Sequence, residues 1–200
     1  MPKIPRKHLI ITGVPRAGKS TLARRVSRKF GYQHISMDSI IAGFEQCFPE
    51  TGVDTNAPKS SEEILFTISR KMAPFLRAMM SMDEYDELNE PMVIDMYQLL
   101  PEDYEKYIDK ELCDILYLVT GDVTPEERFQ IQKEFDTPQD YSYYLSDEER
   151  MEGCEYLVEQ SKLFHSQCET YGLPCYETSR NREQVMEQIL EKLESTCTLQ

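Results

Sequence analysis

Short apolar runs alternate with segments of helical periodicity along most of this 200-residue chain. The runs have the length of buried parallel strands, and they do not alternate with polar residues as half-exposed strands do. Between them, apolar residues recur every three or four positions, which is typical of helices that cover a sheet. Five strands are predicted, at 9–11, 32–36, 91–95, 113–119 and 173–178. This order predicts an α/β fold, with a parallel sheet covered by helices on both faces.

Capping and turn residues mark where the helices begin and end. Gly31 is a stop signal for the first helix, and two capping boxes, Thr124–Glu127 and Ser146–Glu149, open later ones. Residues 49–60 are rich in Pro, Gly, Asn, Asp and Ser, so they predict a connection. Helices are predicted to begin near residues 18, 39, 62, 102, 125, 147 and 182. The whole chain, 1–200, is therefore expected to form a single domain.

Composition limits the partners of such a domain. The apolar content of 40% is that of a globular protein, and a net charge of −14 disfavours general binding to nucleic acid or anionic membranes. The six cysteines show no C-x-x-C pair and no metal-ligand spacing, which indicates free thiols in a reducing cytosol. No apolar run approaches the roughly 18 residues of a membrane span, and no signal peptide is recognisable. We expect a cytoplasmic protein with no nucleic-acid or membrane partner; the sequence does not indicate an oligomeric state.

A glycine-rich loop follows the first predicted strand and opens the first helix. The loop, 13–20, fills every fixed position of the pattern G-x-x-x-x-G-K-[ST]. Gly13 and Gly18 allow the backbone N–H groups to turn towards phosphate oxygens, Lys19 can reach the β- and γ-phosphates, and Ser20 can ligate Mg²⁺. The predicted nucleotide-binding residues here are Gly13, Val14, Pro15, Arg16, Ala17, Gly18, Lys19, Ser20 and Thr21. We call 13–20 the P-loop.

Two carboxylates end the second and third predicted strands. Asp95 closes the run Val93-Ile94-Asp95, a Walker-B-like pattern, and is predicted to share Mg²⁺ with Ser20. Asp38 stands where open α/β sheets place ligands, so it can face an acceptor; the alternative is a helix N-cap. Tyr97 and Gln98, just after the third strand, would line the opening of the same site.

Phosphoryl transfer depends on positioning and charge neutralisation, so an arginine over the γ-phosphate is expected. Arg128 is the preferred candidate for this catalytic role, followed by Arg182, which would also bind the nucleotide. Between 121 and 149 the sequence contains only two cations, Arg128 and Lys133. The predicted lid is therefore poor in arginine.

The region 49–85 is expected to form much of an acceptor pocket. Its long predicted helix carries three cations, which would either guide an anionic substrate or belong to a solvated helix face: Arg70, Lys71 and Arg77. The region contains no motif that identifies the acceptor.

With these residues the chain resembles the nucleoside and nucleotide kinase branch of P-loop proteins. This adenylate-kinase-like group includes shikimate, gluconate and chloramphenicol kinases and the zeta toxins. The resemblance is carried by the P-loop, Asp38, Val93-Ile94-Asp95 and the helix with Arg128. It implies a P-loop NTPase three-layer sandwich with strand order 2-3-1-4-5, ATP and Mg²⁺ as cofactors, and a small helical lid at 121–150. It also implies that Asp38 contacts the acceptor and can serve as its base.

Three classes of function are compatible with these residues. The leading hypothesis is an ATP-dependent kinase that transfers the γ-phosphate to a small-molecule hydroxyl or to a nucleotide phosphate; phosphorylation of a sugar nucleotide, as in zeta toxins, is one variant. The alternative is a nucleotide-binding regulatory ATPase or switch without an acceptor. The third class is an interaction protein with a degenerate nucleotide-binding site. The intact Lys19 and Ser20 disfavour this class. GTP is a less favoured donor than ATP, because no Asn-Lys-x-Asp motif is present.

Overall fold

Five parallel strands form one sheet in the computed structural model of the chain. The structure describes residues 7–81, 90–138 and 140–198, and it describes side chains up to residue 195. The order is β2-β3-β1-β4-β5, as predicted. The strands are β1 (His8–Gly13), β2 (Gln33–Ser36), β3 (Met92–Asp95), β4 (Cys113–Val119) and β5 (Cys175–Glu177). All six residues of the central strand β1 are buried, because it pairs with a strand on each side and helices cover both faces.

Seven helices are found in the described residues, and they confirm the predicted three-layer α/β fold. They are α1 (Lys19–Phe30), α2 (Met37–Cys47), α3 (Ser61–Ser81), α4 (Pro101–Tyr107), α5 (Pro125–Phe135), α6 (Asp147–Tyr171) and α7 (Arg182–Thr198). Both predicted capping boxes are formed, at the starts of α5 and α6. Gly31 ends α1 in the left-handed region, with φ of 74°. None of the helices in the described part of the chain is long and apolar enough to cross a membrane.

The predicted boundaries differ by one or two residues at several elements. α4, predicted at about 102–109, stops at Tyr107, because Ile108 already has extended backbone angles. β5 is shorter than the predicted 173–178, because the Leu173 N–H donates to the Cys168 carbonyl at the end of α6. Five cysteines are free thiols, as expected. The structure does not describe the Cys197 side chain, residues 82–85 of the predicted acceptor region or residue 139 of the predicted lid.

The strand register brings the predicted site residues to one edge of the sheet. Ile11, just before the P-loop, and Ser36, just before α2, are both register partners of Asp95. The carboxyl ends of β1, β2 and β3 therefore meet, and they carry the P-loop, Asp38 and Asp95 respectively.

Candidate active site

The P-loop takes its shape from two glycines with left-handed backbone angles. Gly13 has φ of 114° and Gly18 has φ of 97°. A β-carbon on Gly13 would lie 2.0 Å from the Leu118 carbonyl oxygen, so only glycine fits beside β4. The Val14 N–H donates to the same carbonyl at 3.1 Å. The loop is thus fixed to the edge of the sheet before any ligand binds.

Lys19, in the P-loop, interacts with the loop backbone and with the two predicted carboxylates. Its Nζ donates to the Val14 carbonyl oxygen at 2.8 Å. Burial lowers the pKa of its ammonium to about 8, and the nearby negative charges of Asp38 and Asp95 oppose that shift. The three side chains predicted to act together are therefore electrostatically coupled.

Asp38 is the second residue of α2, and its side chain is open to solvent. The interpretation of Asp38 as the helix cap was wrong: Ser36 holds the N-cap position, and no side-chain capping bond forms. Partial desolvation raises the pKa of the Asp38 carboxyl, Lys19 opposes the rise, and Asp95 adds to it. A carboxylate whose pKa is raised in this way is better suited to accept a proton than an ordinary surface aspartate.

Asp95 is almost fully buried at the end of β3, with 3% exposure. Its Oδ1 lies 3.2 Å from Nε2 of His34, a residue of β2 that sequence reasoning did not select. His34 precedes the end of its strand by two residues, so its side chain lies on the same face of the sheet as that of Ser36. The pair orients the carboxylate, as histidine–carboxylate contacts do around metal ligands.

Ser20 and Asp95 are suited to a Mg²⁺ ion bound together with nucleotide phosphates. Mg²⁺ commonly takes one or two carboxylates, and phosphates and water complete its coordination. Asp95 has a carboxylate that is oriented by His34, and Ser20 stands in the first turn of α1 next to Lys19. In the described residues, no group of three or more His, Cys, Asp or Glu side chains is arranged to hold a metal ion by itself.

The two candidate arginines both donate to carbonyl oxygens of the P-loop. Arg128, on α5, is 4% exposed and donates from Nη2 to Pro15 at 3.0 Å, while its Nη1 donates to the Thr120 hydroxyl. Arg182, at the start of α7, donates from Nη2 to the Arg16 carbonyl at 2.9 Å. Burial lowers the pKa of both guanidinium groups. The two helices α5 and α7 therefore hold the P-loop from outside.

A cluster of ion pairs that the sequence did not reveal joins the P-loop to the predicted lid. Arg16 has a left-handed backbone, with φ of 65°, and its guanidinium pairs with Asp136 at 2.5 Å and with Asp140. Arg150, in the first turn of α6, pairs with the other Asp136 oxygen at 3.1 Å. The segment 134–141 was predicted only as a polar connection. Nothing in the sequence links its aspartates to residue 16, because the contact spans more than a hundred residues.

A cavity of about 590 Å³ opens beside the P-loop, between α5 and the start of α7. Its lining combines the three loop-associated arginines with apolar and hydroxyl groups: Arg16, Arg128, Arg182, Val123, Phe135 and Thr178. The Thr178 hydroxyl donates to the Ala17 carbonyl at 2.9 Å, which attaches this wall to the P-loop. The volume and the mixed lining are suited to a small organic ligand that carries an anionic group.

A pair of phenol groups lies near Lys19. Tyr97 lies with its ring centroid 5.9 Å from Lys19 Nζ, and its hydroxyl is 2.9 Å from that of Tyr156 on α6. The Tyr97 carbonyl accepts from the Thr12 hydroxyl at 3.3 Å. The side-chain oxygen of Gln98 is buried and has no hydrogen-bond partner among the described residues. Tyr97 and Gln98 were both predicted to line the opening of the site; the Tyr97 ring lies beside Lys19, whereas the Gln98 oxygen is buried. Tyr156 was not foreseen.

Solved structures of kinases are similar to this chain along nearly its whole length. A sugar kinase from a Janibacter species has a TM-score of 0.58 and 16% identity, over 95% of both chains. A shikimate kinase from Bacteroides thetaiotaomicron has a TM-score of 0.56 and 19% identity, over 94% of this chain and 98% of its own. A shikimate kinase from Acinetobacter baumannii, in complex with shikimate, has a TM-score of 0.53 and 13% identity, over 95% of this chain and 94% of its own.

No protein-family model matches the chain, and no curated protein matches it in sequence. At these identities the likeness to solved structures shows the fold. The chain has the fold of the P-loop kinases, which confirms the resemblance inferred from the P-loop and the strand-end aspartates.

Proposed function

We propose that the protein is an ATP- and Mg²⁺-dependent kinase that transfers the γ-phosphate to a small-molecule acceptor. One observation carries this proposal: Lys19 of the P-loop is coupled to both Asp38 and Asp95 on one side. The cavity of about 590 Å³ lies beside the P-loop on another side. This arrangement suits a nucleotide donor and an acceptor that meet over Lys19.

Each residue has a role in this scheme. The backbone of 13–20 and the side chains of Lys19, Thr21 and Arg182 bind the nucleotide, whose base side fits the cavity near Phe135. Mg²⁺, held by Ser20 and Asp95, would neutralise charge on the phosphates. Asp38 orients the acceptor hydroxyl and takes its proton as the acceptor oxygen bonds to the γ-phosphorus; the bond from that phosphorus to the β,γ-bridging oxygen breaks, and ADP leaves.

Two regions predicted from the sequence also have roles in the proposed kinase. Residues 49–85 would bind the acceptor, and residues 121–150 would act as a lid that carries Arg128 over the transferred phosphate. The structural neighbours described as kinases of a sugar and of shikimate are consistent with a small-molecule acceptor.

Binding and turnover experiments can test the two halves of this proposal separately. Titration with ATP and Mg²⁺ should show binding that Lys19→Ala abolishes and that Arg24→Ala, an exposed change on α1, leaves intact. A metabolite panel should contain an acceptor that raises ADP release above the rate with water alone. Asp38→Asn should remove this stimulation and keep ATP binding. If no acceptor raises turnover and Asp38→Asn has no effect, the kinase proposal is wrong.

A regulatory ATPase without an acceptor is the second candidate, and one observation favours it. Arg128 is already bonded to Pro15 and Thr120, Arg182 donates to the Arg16 carbonyl, and the Arg16 guanidinium is paired with two carboxylates. Each of these three arginines at the P-loop is therefore already engaged. Slow hydrolysis that no acceptor accelerates, together with a large change in lid protection from hydrogen exchange on ATP binding, would support this candidate.

A further inference from the structure

Glu177, the last residue of β5, bonds two segments of the chain with one carboxylate. Its Oε2 accepts hydrogen bonds from the backbone N–H of Gly121 at 2.7 Å and of Asp122 at 3.0 Å. Its Oε1 accepts from the backbone N–H of Ser179 at 2.7 Å. One oxygen therefore holds the segment that follows β4, and the other holds the segment that follows β5.

Both of these segments contribute walls to the cavity beside the P-loop. Thr120 and Val123 line the cavity from the segment after β4, and Thr178 and Ser179 line it from the segment after β5. Among the described residues that line the cavity, Glu177 itself has no place. The carboxylate thus lies behind the walls and joins them, and it does not face a ligand in the cavity.

The sheet fixes the spacing of the two segments only as far as the ends of the strands. Val119 and Glu177 are register partners, and the Thr178 N–H donates to the Val119 carbonyl oxygen at 2.8 Å. In the part of the chain that the structure describes, this is the last backbone hydrogen bond between the two segments. An ion pair between Arg180 and Glu127 also joins them, but both side chains are exposed, and exposed pairs contribute little.

The Glu177 carboxylate also holds the start of the predicted lid, 121–150. The backbone N–H of Thr120 donates to the Ser161 hydroxyl of α6 at 3.1 Å, so three successive N–H groups here are bonded to side chains. α5 begins shortly afterwards and carries Arg128 to the P-loop. Hydrogen bonds to a charged acceptor are stronger than neutral ones, so Glu177 is suited to fix the point where α5 leaves the sheet.

We propose that Glu177 is a positioning residue for nucleotide binding, which sets the spacing of the cavity walls and the place of the lid's base. This inference rests on the proposed kinase function, in which the base and ribose of the nucleotide occupy the cavity. Glu177 acts through the two segments that it joins, and preorganised walls increase affinity because less ordering is needed on binding.

Neither glutamine nor aspartate reproduces this arrangement. Glutamine has a single side-chain oxygen, so it keeps the bonds to one segment and turns its NH₂ donor towards an N–H of the other. Aspartate keeps the charge but is one methylene shorter, so it does not reach both segments. If the bridge matters, Glu177→Gln and Glu177→Asp should therefore have similar effects; if only the charge matters, Glu177→Asp should behave as the wild type does.

ADP and tripolyphosphate separate this positioning role from a general loss of stability. Tripolyphosphate has no base or ribose, so it requires the P-loop but not the cavity. Calorimetric titration with Mg²⁺, well below the unfolding temperature of each variant, should show the Kd for ADP raised at least about fivefold in both Glu177 variants. The Kd for tripolyphosphate should rise less than about twofold, because the P-loop contacts remain.

Two variants control for other effects of these changes. Arg180→Ala removes the exposed bridge between the same segments, and Glu187→Gln makes the same change in net charge at an exposed position on α7. Both should leave both Kd values within about twofold of the wild type. Unchanged ADP binding in the Glu177 variants, or an equal rise of both Kd values, would overturn the inference and leave nucleotide binding standing. A wild-type protein that binds neither ligand would overturn the proposed function and the inference with it.

Exchange of single amide hydrogens, followed by NMR, tests the bridge without a ligand and without a folded variant. In the wild type, the N–H groups of Gly121, Asp122 and Ser179 should exchange at least about tenfold more slowly than those of an unstructured chain. In Glu177→Gln at least one of the two segments should lose this protection, whereas Glu187→Gln should keep it. Fast exchange of all three amides in the wild-type protein would overturn the inference.

Discussion

The guanidinium of Arg16, at the tip of the P-loop, lies 2.5 Å from the carboxylate of Asp136 beyond the end of α5. Asp140 pairs with the same guanidinium, and Asp136 is also held by Arg150. The positive charge of Arg16, which lines the cavity beside the P-loop, is thus paired with carboxylates of the segment predicted to act as a lid. Opening that segment would expose Arg16 to phosphate, so the ion pairs connect lid position to the charge of the binding site.

Asp140→Asn should therefore strengthen nucleotide binding. The substitution removes one negative charge near the cavity and frees part of the Arg16 guanidinium, while Asp136 still pairs with Arg150. We expect the Kd for ADP to fall about two- to fivefold at low salt and less at high salt, as for other partly exposed ion pairs. Calorimetric titration measures this change. Glu134→Gln, an exposed position in the last turn of α5, is the matched control; an equal effect there would mean that only net charge matters.

His34→Leu should weaken the affinity for Mg²⁺ without abolishing ATP binding. The Nε2 contact of 3.2 Å orients Asp95, and partners of metal ligands typically contribute about 10- to 100-fold to metal affinity or activity. We expect the Mg²⁺ concentration for half-maximal turnover to rise at least about tenfold. A Mg²⁺ titration of turnover measures this, with His165→Leu as the control, because His165 is exposed on α6. An unchanged Mg²⁺ requirement would assign His34 a purely structural role.

Gly13→Ala and Gly31→Ala test the packing of the P-loop against β4. Both glycines are left-handed, but a β-carbon on Gly13 meets the Leu118 backbone, whereas one on Gly31 meets nothing within 4 Å. Gly31→Ala should lower the free energy of unfolding by about 1 to 2 kcal/mol, the cost of the backbone angle alone. Gly13→Ala should lower it by about 3 kcal/mol or more, because the loop must also shift. Urea denaturation measures both, and equal losses would show that the close approach does not matter.

The sequence predicted what depends on local pattern and on the P-loop motif. Both capping boxes and the alternation of strands and helices follow from local pattern, and the proximity of Asp38 and Asp95 to Lys19 follows from strand-end positions. The strand order was implied by the resemblance to P-loop kinases. Contacts between residues far apart in sequence were not predictable. The Arg16–Asp136 pair depends on how a loop folds back over the sheet, and no local pattern encodes that path. The exposure of Arg70 on its helix likewise required coordinates.

Arg128 has two possible contributions, to the shape of the P-loop and to the transferred phosphate, and kinetics can separate them. Its bonds to Pro15 and Thr120 predict that Arg128→Ala lowers the free energy of unfolding by about 2 to 3 kcal/mol and weakens ADP binding about tenfold. If Arg128 also stabilises charge on the transferred phosphate, kcat should fall by a further factor of about 10² to 10³. The control is Arg180→Ala, which removes only an exposed pair with Glu127 and should change stability by less than about 1 kcal/mol. Measuring the Kd for ADP and kcat on the same variant separates the two contributions. Weaker ADP binding with unchanged kcat would mean that Arg128 only supports the P-loop, and that Lys19 and Mg²⁺ stabilise the charge on the transferred phosphate.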